Sequence, residues 1–305
     1  MGRRASSSQE FIPALLKTIL LCTLTVVIAY AVSSRTVSLS RLDGTTASLN
    51  DVSKRLSFVE SKIEELKTSI EQTQPAETVL KTKYASLYQK KIVYDGDSIA
   101  ESRADNGGGY PALVAEITGG SYVNLACGGA RLCSYENRHS VVENLKNLPR
   151  DGDLYCFEGG INDFWSNIPI GTYDPADYSG PLDTKTVCGA LETIFRHCLE
   201  TFPGKPVCFV IVHKIQNTAT AYNGIGKSFN DYRTAMIEIC RKYSIPYYDA
   251  FSESGLNGWN KTQNNLFLTA NNQGLSDGIH PNREGYRRYY VPQLIDLFSK
   301  IMPID

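Results

Sequence analysis

From about Thr82 onward the chain alternates short strand-like runs with helical stretches, and this alternation restricts its fold more than any other feature. The strand-like runs fall at Lys91 to Asp95, Tyr122 to Leu125, Leu154 to Glu158, Val207 to His213 and Pro246 to Asp249. Helical stretches lie between and after them, including Thr184 to Thr201, Lys227 to Tyr243 and Glu284 to Ile301. Strands that alternate with helices build βαβ units, and hence a parallel sheet covered by helices on both faces. Ligands in such folds meet the loops at the carboxyl ends of the strands, where the glycine-rich segments of this chain fall. A length of 305 residues with 42% hydrophobic content accommodates one catalytic domain and an extension.

Four loops carry candidate chemistry. The first, within "IVYDGDSIA" at Ile92 to Ala100, places Ser98 where a strand gives way to a helix, a position that suits a helix cap as well as a nucleophile. A serine hydroxyl becomes nucleophilic only when a base takes its proton. The second loop, "ACGGARL", sets Gly128 and Gly129 where backbone N–H groups can face a ligand. In the third, "EGGINDFW", Gly159 and Gly160 precede Asn162, whose side-chain amide can donate. The fourth, "DGIHPN", supplies Asp277 and His280 just before the last helical stretch. Together they offer a hydroxyl, convergent donors, an imidazole and a carboxylate.

Gly96-Asp97-Ser98, the loop at Gly129, Gly160-x-Asn162-Asp163 and Asp277-x-x-His280 resemble, in order, the four sequence blocks of the SGNH (GDSL-type) hydrolases. The resemblance covers roughly Lys91 to Ile301. It implies an α/β fold with a flavodoxin-like three-layer α/β/α arrangement and a five-stranded parallel sheet. It also implies an esterase in which His280 takes the proton of Ser98 and Asp277 orients the imidazole. The N–H groups of Ser98 and Gly129 and the amide of Asn162 would stabilise the oxyanion. Asp97 and Asp163 are expected to brace the loops by hydrogen bonds. The expected substrate is a small-molecule or glycan ester, foremost a short-chain acyl or carbohydrate O-acetyl ester. A lysophospholipase or thioesterase is the alternative within the class, and a catalytically silent glycan- or partner-binding module the alternative outside it.

Candidate pocket residues are Arg131, Phe164, Trp165 and His213. Arg131 would favour an anionic or phosphate-bearing substrate if it points inward, although an outward, solvated arginine is the expected case. Phe164, Trp165 and the insertion from Ser166 to Asp183 are expected to form an aromatic wall and a polar loop. The segment from Leu256 to Leu275 is either a sugar-facing surface or a solvated loop. No cofactor or metal is expected: the cysteines lack CxxC spacing, "NGGGY" is not GxGxxG, and no phosphate-loop motif occurs. Cys156 and Cys208 sit in strand-like runs as small hydrophobes. Lysine plus arginine (31) nearly balances aspartate plus glutamate (32), leaving no basic field for nucleic acid.

The N-terminal part has a different character. Residues 1–10 carry Arg3 and Arg4, and Phe11 to Val32 is a mostly apolar stretch long enough to cross a bilayer of roughly 30 Å. It reads as a transmembrane signal anchor with a cytoplasmic N-terminus and an extracytoplasmic catalytic domain. If it is cleaved at the small-x-small site Ala29-Tyr30-Ala31, the protein is secreted. Leu42, Thr45, Leu49, Val52, Leu56, Val59, Ile63, Leu66 and Ile70 then alternate steps of three and four. That spacing predicts a coiled-coil stalk over 38–74 and a homo-oligomer, with a linker at 75–90 and the hydrolase domain at 91–305.

Overall fold

The expected alternation is realised as a five-stranded, wholly parallel sheet in the order β2-β1-β3-β4-β5. The computed structural model describes residues 45–303 except 103–104, 106, 135–138, 217–220 and 271–274. In chain order the first elements are α1 (Thr45–Lys83), β1 (Lys91–Asp95), α2 (Ser98–Glu101), α3 (Gly109–Thr118), β2 (Ser121–Asn124), α4 (Val141–Asn144), β3 (Leu154–Gly159) and α5 (Ile161–Trp165). There follow α6 (Val187–Thr201), β4 (Val207–Ile211), α7 (Phe229–Lys242), β5 (Tyr247–Asp249), α8 (Ala250–Glu253) and α9 (Lys261–Phe267). A short antiparallel pair, β6 (Thr269–Ala270) and β7 (Leu275–Ser276), precedes α10 (Arg283–Tyr289) and α11 (Val291–Ile301). The helical stretch expected at Glu284 to Ile301 is therefore two helices. Pro292, in the first turn of α11, has no N–H to continue the earlier helix, and the chain breaks at Tyr290.

The chain falls into two units, Met1–Val79 and Leu80–Asp305. The first contains most of α1, whose exposed turns carry Arg55–Asp51 and Lys62–Glu65 ion pairs. Leu56 (51%) and Ile63 (38%), two residues of the expected heptad seam, are exposed on this single chain. The linker expected from residue 75 is replaced by helix as far as Lys83. A proline inside a helix costs about 3 kcal/mol, but Glu71, Gln72, Gln74, Ala76, Glu77, Leu80 and Lys81 favour helix on both sides of it. The segment from Phe11 to Val32 lies outside the described residues, and no described helix is long and apolar enough to cross a membrane.

Alternation along the strands divides the core of the second unit. Tyr94 of β1 meets Tyr110 of α3 (5.6 Å between ring centroids) and Phe298 of α11 (6.3 Å) on one face. On the other, Tyr155 of β3 stacks on Phe202 (4.3 Å), and Phe209 of β4 meets Phe195 of α6 edge to face (6.2 Å). Cys156 and Cys208, paired across β3 and β4, are buried as expected of small core residues. Strand order reverses between β1 and β3, so the loops after these two strands flank the crevice where this sheet type binds ligands.

The insertion from Ser166 to Asp183 is largely exposed, as a polar loop should be, but it is not loose. Its later part is fastened to α6 and α7: Arg196 donates to Gly180 O (2.8 Å), and Tyr178 donates to Lys242 O (3.1 Å). The Lys242 ammonium pairs with Glu192 (2.5 Å) and lies over the rings of Tyr173, Tyr178 and Tyr243. A cavity of about 510 Å³ beside this cluster contains none of the candidate catalytic residues. Removing one partner of a buried ion pair leaves the other charge desolvated. Lys242→Ala is therefore expected to lower unfolding free energy by about 3 kcal/mol, read from urea midpoints, with the double variant Glu192→Gln/Lys242→Met recovering much of the loss.

Candidate active site

The first loop leaves β1 at Asp95 and passes directly over β3. A Cβ on Gly96 would lie 2.8 Å from Glu158 O and 2.9 Å from Glu158 Oε2, so only glycine permits this approach. Asp97 is the helix cap: its Oδ1 accepts the Ile99 N–H at 2.9 Å. Ser98 is the first residue of α2, which leaves its own N–H without an acceptor among the described residues. Its hydroxyl is free to act elsewhere, and it lies 2.8 Å from His280 Nε2.

The fourth loop follows β7. Asn282 opens α10 by accepting the Gly285 N–H at 2.9 Å. Gln216 N–H donates to Gly278 O (3.0 Å), and Asp277 N–H donates to Leu268 O (3.1 Å). Residues 256–268 thus frame the catalytic loop. Asp277 Oδ2 lies 2.6 Å from His280 Nδ1, while Oδ1 accepts the N–H groups of Ile279 and His280, each at 2.9 Å. Burial alone would raise the Asp277 carboxyl. The hydrogen bonds from the His280 ring and from these two backbone groups outweigh it and hold Asp277 below its ordinary range. The imidazole with its proton on Nδ1 donates to this carboxylate and accepts the Ser98 hydroxyl through Nε2. Ser98, His280 and Asp277 form one hydrogen-bonded line across 182 residues of sequence.

The donor loops converge on the same crevice. Gly129 has φ +79° and open space where a Cβ would stand, so that side of the second loop is unobstructed. Asn162, in the short helix α5, directs its amide at Ala130 O (2.9 Å) and Asp97 Oδ2 (3.2 Å). The expected oxyanion donor is therefore shared with two protein acceptors, and the 3.2 Å bond is the longer of the two. Asp163 is wholly buried and receives the N–H groups of Leu132 (3.0 Å) and Cys133 (3.1 Å), fixing the second loop to α5. Asp97 and Asp163 brace the loops in the manner expected from the sequence.

The expected pocket residues divide. Trp165 is 41% exposed on the same short helix as Asn162. Phe164 is a correction: it is 2% exposed and packs edge to face on Phe229 and Tyr232, because its side of α5 turns toward α7. Arg131 is buried rather than outward and solvated; its carbonyl accepts the Val141 N–H at 2.9 Å, which ties the loop to α4. His213 is fully buried, with Nδ1 2.8 Å from the Tyr290 hydroxyl, so it stands behind the catalytic pair rather than lining a pocket. Burial and the neighbouring His280 push it down to about 3, which keeps it neutral. Glu158 was the residue sequence reasoning passed over. Its signal was an acidic side chain in the apolar run Leu154 to Gly159, immediately before the glycines.

Residues 96–288 match the family of GDSL-like lipases and acylhydrolases. One solved structure, 25% identical, covers 72% of this chain and 100% of its own with a TM-score of 0.60. A protein from Lactobacillus plantarum, 22% identical, covers 70% and 98% with a TM-score of 0.59. A possible lipase from Chitinophaga pinensis, 18% identical, covers 69% and 98% with a TM-score of 0.52. The last two show likeness of fold. No curated protein matches this sequence. The match spans all four loops and more than half of the chain, and the chain belongs to the GDSL-like lipase/acylhydrolase family of ester hydrolases.

Proposed function

We propose that this protein hydrolyses a short-chain acyl ester, foremost an O-acetyl group on a carbohydrate, through an acyl-enzyme on Ser98. The observation that carries the reading is the line Ser98 Oγ–His280 Nε2 (2.8 Å) and His280 Nδ1–Asp277 Oδ2 (2.6 Å). As Oγ attacks the ester carbonyl, its proton passes to Nε2, and the imidazolium so formed is stabilised by the Asp277 carboxylate. The N–H groups of Ser98 and Gly129 receive the oxyanion. The Asn162 hydrogen that Asp97 Oδ2 holds is shared with the oxyanion as the third donor. His280 returns the proton to the leaving alcohol, water then attacks the acyl-enzyme with His280 as base, and the acid departs. The choice of carbohydrate rests on exposed aromatic faces beside the catalytic loops. Trp165 shares α5 with Asn162, and Trp259 (60% exposed) adjoins Gly258, which packs on Gly278. A relic module would have no reason to keep the hydrogen-bonded line intact.

The N-terminal part completes the proposal. Residues 11–32 anchor the chain in a membrane as a single-pass segment, residues 38–74 pair with a second copy as a coiled coil, and the hydrolase domain lies outside the cytoplasm. Support comes from the apolar stretch and from the heptad seam, of which Leu56 and Ile63 are exposed on α1. Sedimentation of residues 36–305 is expected to give a dimer or trimer, and a monomer contradicts the stalk.

Hydrolysis of p-nitrophenyl acetate tests the chemistry. Ser98→Ala is expected to lose at least about 10³-fold in kcat and Asp277→Asn about 10³- to 10⁴-fold, with the folded state retained in both. Faster turnover of octanoate than acetate would favour the lipase or thioesterase alternative. Since Asp277 titrates below its ordinary 3.8, its pairing stabilises the fold above that pH and is lost only as pH falls through the lower native value. Activity lost between about pH 7 and 5 is therefore not a titration of Asp277.

A further inference from the structure

Beneath the nucleophile loop two buried carboxyl groups touch, and the reaction as drawn uses neither. Glu158 is 0% exposed and Asp97 1%, and Glu158 Oε2 accepts the Asp97 N–H at 3.2 Å, which brings the two carboxyl groups together beneath the loop. Two buried like charges this close cannot both ionise at neutral pH, so the pair holds one proton. The surrounding donors indicate which group carries it. Both oxygens of Asp97 are acceptors: Oδ1 from Ile99 N–H (2.9 Å) and Oδ2 from the Asn162 amide (3.2 Å). Glu158 accepts through Oε2 alone, from the N–H groups of Asp97 (3.2 Å) and Ala100 (3.3 Å), and its buried Oε1 receives no donor. The atom that nothing donates to is the place for the proton.

We propose that Glu158 works as a neutral carboxylic acid and is a positioning residue for the reaction. It donates to Asp97 so that this carboxylate keeps hold of the Asn162 amide, and it accepts from the N–H groups on either side of Ser98. The nucleophile and one oxyanion donor are thereby placed by a single side chain. The absence of a Cβ at Gly96 is what lets Glu158 reach them. The proposal rests on the acyl-enzyme reading above, because only there do Ser98 and Asn162 act on the same ester.

The groups facing the pair agree with this distribution. His280, from the loop before α10, favours a charged Asp97, whereas Asp163 on α5 opposes it. Tyr110 on α3, Tyr286 on α10 and Tyr290 beside it face Glu158, and burial keeps all three phenols neutral. Burial, then the Asp97 carboxylate, raises Glu158 well above its ordinary range. Burial also lifts Asp97, to about 6. Asp97 therefore gains its proton first at the acid end of the working range, which releases Asn162.

The test is the pH dependence of p-nitrophenyl acetate hydrolysis by the full chain, comparing wild type, Glu158→Gln and Glu158→Leu between about pH 5 and 9. Glutamine copies the neutral acid, offering one donor and one acceptor, so Glu158→Gln is expected to keep kcat within about 3-fold and the acid limb in place. Leucine removes the donor to Asp97. Glu158→Leu is expected to lose at least about 30-fold in kcat with KM within about 3-fold, and its acid limb moves to higher pH because the Asp97 anion has lost a hydrogen bond. A folded Glu158→Gln that loses about 30-fold or more in kcat overturns the proposal, and it does so even if Glu158→Leu fails to fold. A wild-type protein with no hydrolysis contradicts the esterase reading itself, whereas an active wild type with an inactive Glu158→Gln contradicts only the role given to Glu158.

Discussion

Everything at the active site depends on burying three acidic side chains against the backbone of the loops they organise. A carboxyl group taken from water is costly unless hydrogen-bonded, and Glu158, Asp97 and Asp163 find their donors in the turns that carry catalysis. Glu158 collects the N–H groups of Asp97 and Ala100, Asp97 that of Ile99, and Asp163 those of Leu132 and Cys133. Each loop is thus fixed by satisfying a group that would otherwise be destabilising. The Asn162 amide, held between Asp97 and Ala130, joins the first and second loops to the third.

The fourth loop is placed by another means. His280 stands far along the chain from Ser98, and an aromatic wall brings its helix into reach. Tyr110 stacks on Tyr290 (5.6 Å), Tyr286 meets both, and Tyr248 of β5 meets Tyr290 edge to face (6.0 Å). The polar ends of these rings then set the register. Tyr286 donates to Ile99 O (2.8 Å), one residue past the nucleophile, and the Tyr290 hydroxyl lies 2.8 Å from His213 behind the catalytic pair. Apolar burial positions the helix, and two hydroxyls determine where His280 faces Ser98.

Much of this was legible in the sequence because it is local. β-Type runs between helical stretches gave the five strands. Ser98, Gly129, Asn162, Asp277 and His280 each sit within a few residues of a turn that glycine makes necessary. What escaped the sequence depends on contacts across the fold. Phe164 belongs to the core because α5 packs on α7, a fact that adjacency to Trp165 conceals. Arg131 and His213 are buried by neighbours distant in sequence. Glu158 looked like the polar end of a strand, and its partner at Asp97 becomes visible only when β1 and β3 lie side by side. Helix α1 ran through Pro75 because its flanking residues favour helix more than one proline opposes it.

The central claim is that Ser98 is a nucleophile activated by His280. Peptide mass spectrometry after reaction with a fluorophosphonate measures this directly, since the reagent phosphonylates an activated serine and loses fluoride. One adduct is expected on the full chain, located at Ser98, and it disappears in His280→Ala. An unlabelled Ser98 in the folded wild-type protein, or labelling that persists without His280, would contradict it.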